Sequence, residues 1–438
     1  MAPATRRVGA VWAAANVAAL LGLMFRMFVS ALHFLFVRTS NTLVRKAANF
    51  FWRCTGALFL ATRTLATAPP TRRTAADGWA ASCVTALPEI WALVAEHSGF
   101  VGAWRLTGVC RASREGVLVW LRTLPGLVVC GGFSGVGQTS EVWRLDLGIL
   151  QWQHTSNLTH IRASHACCTV RGSIVVLGGD PGDDMPDESV EMLLRGVAEA
   201  EEDMFEVLPS LSCGPVLGSS ALVIDEIESE KGRVLLIGGD GDEVSSAAVH
   251  TVDLATGRCT PQPHLTRGRF GCAAARLPDG RVVCAGGKSS AMDFQGFEPS
   301  WITAISAEIL DLPEQESPSA GGQWRPLPRM SVERFGGTSC VLSDGRFAVF
   351  GGRNEADIPT ASCEALTLDG GERWQQLPPM YERRSGFACA AVGGCVIVAG
   401  GDSTITVEVY EEALGRWRRF PRNLPHDTEL SFMGCALL

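Results

Sequence analysis

Four arginines have the spacing and the chemistry of a binding site. Each lies 16 or 17 residues ahead of a pair of glycines, and the four are Arg162, Arg269, Arg334 and Arg384. A guanidinium keeps its charge at physiological pH, and its planar fork hydrogen-bonds carboxylates and phosphates. If the fold brings these equivalent positions onto one face, we expect that face to bind a substrate with an acidic or phosphorylated segment. The alternative is that each arginine pairs with a nearby Asp or Glu and braces its own part of the fold.

The other reactive side chains do not form a recognisable catalytic or metal site. The chain has 15 Cys and 8 His, but no pair has the spacing of zinc ligands. Neither a Gly-rich phosphate loop nor a nucleophile elbow occurs. His165 is the strongest single candidate, and a core histidine is its favoured interpretation. We therefore predict no catalytic residue, no metal and no cofactor, and we expect that the chain is not an enzyme.

Composition and charge argue against one class of function and indicate where in the cell the protein is located. The net charge is -8 and there is no long basic stripe, which argues against nucleic-acid binding. Many cysteines fall in apolar segments, where they serve as small apolar residues with reduced thiols. These features predict an intracellular protein, with the cytoplasm as the expected location of its main body.

Six short apolar runs, each ending in a pair of glycines, divide the chain after residue 125. The intervals between first glycines run from 47 to 65 residues. A period near 50 residues with room for four short strands matches a propeller blade, and a glycine pair permits positive φ and close backbone approach. We predict an all-β fold, with a six-bladed β-propeller over residues 125–438. The repeat glycines are Gly131, Gly132, Gly178, Gly179, Gly238, Gly239, Gly286, Gly287, Gly351, Gly352, Gly400 and Gly401.

The two ends of the repeat region complement each other. The first repeat lacks an inner strand before Leu127, and residues 429–438 resemble the inner strands of the other repeats. We expect the C-terminal segment to complete the first blade, because closing the ring in this way removes free strand edges.

Four of the repeats carry a tryptophan downstream of their glycines. These are Trp152, Trp324, Trp374 and Trp417. Gly-Gly followed by a downstream Trp resembles the kelch repeat, and the resemblance extends over residues 125–438. It implies a kelch propeller that holds a protein substrate.

Residues 77–124 have helical rather than strand spacing. Their apolar residues fall in three groups, of which the second is Leu106, Val109 and Cys110 and the third begins at Val117. Three short helices bury too little apolar surface to be stable alone. They therefore pack either on the following domain, as a helical cap, or on a partner.

Two stretches of this block, Leu-Pro-Glu-Ile at 87–90 and Val-Cys-Arg-Ala-Ser-Arg at 109–114, resemble the F-box. Ser113 stands where that family usually has tryptophan. The resemblance implies a surface that docks the linker protein of a ubiquitin ligase. The docking residues would be Leu87, Pro88, Ile90, Leu106 and Val109.

Residues 1–76 form a basic, apolar leader with ten Arg and Lys and no Asp or Glu. An uncharged run of 18 residues begins at Val8, and the apolar character continues to Val37. Three interpretations remain: an organellar targeting peptide, a membrane anchor through residues 8–37, or a mispredicted gene start. All three exclude the leader from the folded body.

Together the two resemblances imply an F-box/kelch protein. Such a protein is a substrate-recognition subunit of a cullin–RING ubiquitin ligase, whose helical block binds the linker and cullin assembly and whose propeller binds the target protein. The alternative is a kelch interaction scaffold, anchored to a membrane or an organelle, without a ligase role.

Overall fold

The computed structural model describes residues 88–182, 187–195, 203–225, 229–241, 244–291, 300–310, 322–368 and 371–438. The leader with its apolar segment 8–37 lies outside the described residues, and so does Leu87. The chain divides into two compact units between Thr123 and Leu124. The domain limits predicted from the sequence otherwise stay predictions.

The first unit contributes two helices to the described residues, α1 (Pro88–Leu106) and α2 (Arg111–Leu121). Gly99 interrupts α1 with a φ of 68°, which glycine tolerates because it has no Cβ. The two helices approach closely at Gly116, where a Cβ would collide with the carbonyl oxygen of Pro88. No helix in the described part of the chain is both long and apolar enough to cross a membrane.

The helix predicted around Leu106, Val109 and Cys110 does not form. Leu106 is the last residue of α1, and Cys110 is the N-cap of α2 with an extended backbone at φ -159°. The Cys110 thiol accepts a hydrogen bond from the backbone N–H of Ser113. An N-cap requires this non-helical conformation, so a helical face cannot continue through Cys110.

The second unit is nearly all β. Its described residues form six four-stranded antiparallel sheets, numbered here along the chain and given from the first to the fourth strand of each. Sheet 1 is β31 (Gly434–Leu437), β1 (Leu127–Cys130), β4 (Val142–Asp146) and β5 (Gln151–His154); sheet 2 is β6 (Ala166–Val170), β7 (Ser173–Gly179), β8 (Asp187–Leu194) and β9 (Met204–Leu208). Sheet 3 is β10 (Ser220–Asp225), β11 (Arg233–Ile237), β14 (Val249–Asp253) and β15 (Cys259–Gln262); sheet 4 is β16 (Ala273–Arg276), β17 (Val282–Ala285), β20 (Ala307–Leu310) and β21 (Trp324–Leu327). Sheet 5 is β22 (Thr338–Val341), β23 (Phe347–Phe350), β24 (Cys363–Thr367) and β25 (Arg373–Leu377); sheet 6 is β26 (Ala388–Val392), β27 (Cys395–Ala399), β28 (Val407–Glu411) and β29 (Arg416–Arg419).

Among the described residues, short strands that directly follow glycine pairs form further small sheets. They are β2 (Phe133–Ser134), β3 (Gly137–Gln138) and β30 (Leu430–Ser431) in one small sheet; β12 (Asp240–Gly241) with β13 (Val244–Ser245); and β18 (Lys288–Ala291) with β19 (Ser300–Thr303).

The hydrophobic core lies between neighbouring sheets. Five core clusters each combine side chains of two consecutive sheets, as Val175 of sheet 2 does with Val234 of sheet 3. The second strands are buried along their whole length in four of the sheets, because both of their faces pack against apolar neighbours. Tryptophan side chains also form hydrogen bonds to the preceding sheet. The Nε1 of Trp324 donates to the Pro263 carbonyl, and the Nε1 of Trp417 donates to the Pro378 carbonyl.

Two sets of backbone contacts run around the unit as closed cycles. The first strands contact one another in the order β6, β10, β16, β22, β26, β31 and back to β6. Just ahead of them, six residues form a cycle of N–H···O=C hydrogen bonds of 2.6 to 3.0 Å, and each has a φ between 52° and 63°. This axial belt consists of Ser164, Gly218, Gly271, Gly336, Gly386 and Phe432.

The C-terminal strand lies at the inner edge of sheet 1, as the sequence predicts. It pairs with β1 in antiparallel register, with Leu127 opposite Leu437 and Cys130 opposite Gly434. Backbone hydrogen bonds between Gly126 and Leu438 extend the pairing in both directions. The two ends of the unit are therefore joined in one sheet.

Candidate functional site

The four predicted binding arginines lie inside the sheets. Arg162, Arg269 and Arg384 have no exposed surface, and Arg334 is 1 % exposed. Each forms an ion pair with a buried glutamate on the third strand of its own sheet, at N···O distances of 2.6 to 2.9 Å. The pairs are Arg162 with Glu191, Arg269 with Glu308, Arg334 with Glu364, and Arg384 with Glu408.

Arg384 shows the hydrogen bonds of these arginines, which recur at the other three positions except that Arg162 lacks the bond to a second carbonyl. Its Nη1 donates to the carbonyl of Gly400 at 2.6 Å and to that of Thr406 at 2.8 Å. Its Nη2 donates to the Thr406 hydroxyl and to Glu408 Oε1. In each of these sheets the carbonyl of the first glycine therefore accepts a hydrogen bond from a charged guanidinium. The other three pairs are Arg162 with Gly178, Arg269 with Gly286, and Arg334 with Gly351.

Each glutamate also holds the loop that enters its sheet. The carboxylate of Glu408 accepts the backbone N–H groups of Tyr381 and Glu382 at 2.7 and 3.0 Å. Burial raises the pKa of the Glu191 carboxyl, but backbone hydrogen bonding to Thr159 and the charge of Arg162 hold its pKa below the ordinary value. The Glu191 carboxylate therefore stays ionised beside its buried guanidinium partner.

The predicted substrate-binding role of these arginines is corrected. Their guanidinium groups are enclosed and already bonded to a carboxylate and a glycine carbonyl, so none is presented to a ligand. The bracing alternative describes their contacts. The glutamates have no constant spacing that would predict them, because they lie between 8 and 22 residues after the first glycine. The available signal was a lone acidic residue within an apolar strand, as in Val-Glu-Val at 407–409.

All twelve repeat glycines have positive φ, as predicted. The N–H of the second glycine donates to a carbonyl at the start of the next sheet, as Gly352 does to Arg384 at 2.8 Å. In two sheets that carbonyl belongs to Val216 or Leu430 instead of an arginine.

The predicted docking residues of the helical block differ in their solvent exposure. Pro88, Ile90 and Leu106 are partly buried, whereas Val109 is 60 % exposed in the turn between the helices. Val119 of α2, which the sequence analysis did not single out, is 58 % exposed. The linker-docking role of these residues stays a prediction.

A cavity of about 120 Å³ adjoins the axial belt. Its wall includes Phe270, Phe335 and Phe432, whose rings stack in succession at centroid distances of 5.5 and 6.2 Å. Trp301 of β19 packs on Phe270 and is 38 % exposed. We call these four side chains the aromatic rim. No sequence signal pointed to it, because its members lie far apart in the chain.

One cation lies on this rim. The ammonium of Lys288 is 4.5 Å from the centroid of Phe335, a cation–π contact, and it also pairs with Asp357 at 3.3 Å. Ile302, beside Trp301, is 49 % exposed. The rim therefore offers apolar and aromatic surface around a small cavity, which suits the apolar side chains of a protein partner.

The described residues contain no group of three or more His, Cys, Asp or Glu placed to hold a metal ion. His165 is buried, as expected of a core histidine, but only its Nε2 has a partner, the Cys130 thiol at 3.6 Å. Its Nδ1 has no hydrogen-bond partner.

Comparisons with known proteins find a similar sequence and similar folds. No protein-family profile matches the chain. Over 161 residues the chain is 27 % identical to an F-box/kelch-repeat protein of Arabidopsis thaliana, a match that covers 32 % of this chain and 42 % of that protein. The chain thus spans less than half of the relative's length. A solved structure titled "Structure of YjhT" aligns at 13 % identity with a TM-score of 0.49, over 63 % of this chain and 87 % of that one. The relative's name agrees with the resemblance of the glycine pairs to kelch repeats, and the chain is similar to kelch-repeat proteins.

Proposed function

We propose that the chain is a protein-interaction module in which residues 125–438 form a six-bladed kelch propeller. The closed cycle of first-strand contacts and the six hydrogen bonds of the axial belt support this arrangement. A ring closed through its backbone is a rigid platform, since every sheet is tied to both neighbours. The proposal assigns binding to this unit and no chemical step. An intracellular location, cytoplasmic for this unit, is part of the proposal.

The aromatic rim is the observation that carries the binding role. It combines the exposed side chain of Trp301 with a cavity of about 120 Å³ that has room for one side chain of a partner. Aromatic residues beside a small pocket are the typical energetic centre of a protein interface. We expect a partner segment to insert an apolar side chain into this cavity.

The helical block supplies the second half of the proposal. We assign it the F-box role, with Val109 and Val119 as the exposed apolar residues that contact the linker protein. This role rests on the F-box-like sequence and on the printed name of the relative. The substrate receptor of a cullin–RING ubiquitin ligase is the resulting function, and a kelch scaffold without a ligase role is the alternative.

Affinity purification of the tagged full chain, with its partners identified by mass spectrometry, separates these functions. We expect the wild-type chain to recover a cullin and its linker. Val109→Glu should lose both while retaining partners of the propeller, and Trp301→Ala should lose the target protein while retaining the cullin. Leu414→Glu is the matched control, because Leu414 is 57 % exposed and distant in sequence from both surfaces. A wild-type chain that recovers target proteins but no cullin would establish the scaffold function.

A further inference from the structure

Two thiols and an imidazole meet where sheet 1 joins sheet 2. The Sγ of Cys130, on β1, lies 3.7 Å from the Sγ of Cys167, on β6, and 3.6 Å from His165 Nε2. Both cysteines are free thiols. The residues come from different strands, so the tertiary fold and not a local motif brings them together.

Gly434 makes room for this cluster. It lies opposite Cys130 in the register of β31 and β1. A Cβ at this position would collide with His165 Nε2 and would lie 2.8 Å from both Cys130 Sγ and Cys167 Cβ. Any larger residue would therefore push the three side chains apart.

The two thiols differ in acidity. The hydrogen bond from Cys167 is the largest influence that lowers the pKa of Cys130, to about 6, with further lowering by His165 and by the charge of Arg162, against an opposing effect of burial. The pKa of Cys167 is raised well above its ordinary value by its hydrogen bond to Cys130 and by burial. Cys168 and Cys435 are further ionisable groups near the pair, and both act on Cys167. Cys130 is thus the nucleophile and Cys167 the proton donor of the pair.

We infer that Cys130 and Cys167 form an oxidisable dithiol that reacts with peroxide to give a disulfide between sheets 1 and 2. The Cys130 thiolate attacks one peroxide oxygen, so that an S–O bond forms, the O–O bond breaks, and the departing hydroxide takes the proton that His165 received from Cys130. The Cys167 sulfur then attacks the sulfenic sulfur of Cys130. The S–O bond breaks, and the second hydroxide leaves as water with the Cys167 proton. Two thiols are oxidised to one disulfide, and one peroxide is reduced to two waters.

The axial cavity offers a place for the oxidant. His165 forms part of its wall, and the volume of about 120 Å³ exceeds what a molecule of peroxide size needs. The unpartnered Nδ1 of His165 is a polar atom free to hydrogen-bond a small polar molecule. The disulfide requires the two sulfurs, on neighbouring sheets, to approach from 3.7 Å to about 2.05 Å, a change that rotation of the two cysteine side chains can supply.

Peptide mapping of the folded full chain tests this inference. The protein is treated with hydrogen peroxide, remaining thiols are alkylated, and the digest is analysed without reduction. We expect a crosslinked peptide pair containing Cys130 and Cys167. Cys168→Ser is the matched control and should leave the crosslink unchanged, because burial raises the pKa of Cys168 to about 12. Cys167→Ser should abolish the crosslink and leave a sulfenic acid on Cys130, trapped by a 1,3-diketone.

The pH profile of oxidation distinguishes a reactive pair from incidental contact. We expect the rate at Cys130 to be half-maximal near pH 6. His165→Gln should raise this midpoint and slow the reaction at pH 7, because His165 adds to the lowering of the Cys130 pKa that the Cys167 hydrogen bond begins. The inference is overturned if peroxide oxidises the exposed thiols of Cys110 and Cys213 while no Cys130–Cys167 crosslink appears. It is also overturned if the crosslink forms only at temperatures where the chain unfolds.

Discussion

Removal of one buried guanidinium tests whether the arginine–glutamate pairs brace the propeller. In Arg384→Met the chain loses five hydrogen bonds and leaves the carboxylate of Glu408, which has no exposed surface, without its counterion. Removing one member of a buried ion pair typically costs about 3–5 kcal/mol of stability. We expect a loss of this size, because Glu408 stays buried between the two backbone N–H groups that it accepts.

The chain contains a matched exposed pair. Arg419 contacts Glu382 at 3.3 Å, with side chains that are 67 % and 36 % exposed. Since exposed pairs contribute at most about 1 kcal/mol, Arg419→Met should change stability by less than that. Guanidinium chloride unfolding of the wild type and both variants measures the difference.

The double variant isolates the pair itself. Glu408→Gln alone leaves Arg384 charged and unpaired, whereas Arg384→Met with Glu408→Gln leaves no buried charge at this position. We expect the double variant to lose less stability than the two single losses together, with a coupling of about 1–3 kcal/mol. If Arg384→Met is no more destabilising than Arg419→Met, the bracing interpretation is wrong. If it is stable but loses a partner, the arginine belongs to a binding site after all.

Three further predictions concern the C-terminal strand, the glycine opposite Cys130, and the Cys130 thiol itself. Deleting residues 429–438 should expose the inner edge of β1 and cause aggregation, measured by light scattering; a stable monomer would contradict the closure. Gly434→Ala should cost about 1–3 kcal/mol through overpacking, whereas Gly135→Ala, where a Cβ meets nothing within 4 Å, should change stability little in the same unfolding assay. The pKa of Cys130 is about 6 in the folded chain against an ordinary 9.0, so its thiolate stabilises the fold increasingly as the pH rises from 6 to 9. The difference in unfolding free energy between the wild type and Cys130→Ser should therefore grow over this range, and a flat difference would refute the assignment.

Local sequence determined the repeat architecture. Each apolar run ending in two glycines encodes a buried strand and a turn that needs positive φ, and both requirements are met by residues next to each other in the chain. The C-terminal strand was also predictable, because residues 429–438 carry the same pattern as the other inner strands and the first repeat lacks one. The helical block was predictable as helical, but its internal boundary was not, since the N-cap role of Cys110 depends on a conformation that apolar spacing does not report.

Only the tertiary structure decided what the polar residues do. The sequence pattern identifies Arg384, but it does not show whether the charge of Arg384 faces solvent or a carboxylate. The answer depends on Glu408, which lies 24 residues later in the chain and is brought next to Arg384 by the folding of the sheet. The same holds for Cys130 and His165, which are 35 residues apart and meet because two sheets pack together. The aromatic rim likewise combines Phe270, from the middle of the repeat region, with Phe432, from its end. Apolar spacing fixes which residues are buried, whereas the partner of a buried charge, thiol or ring depends on packing between sheets that no local pattern encodes.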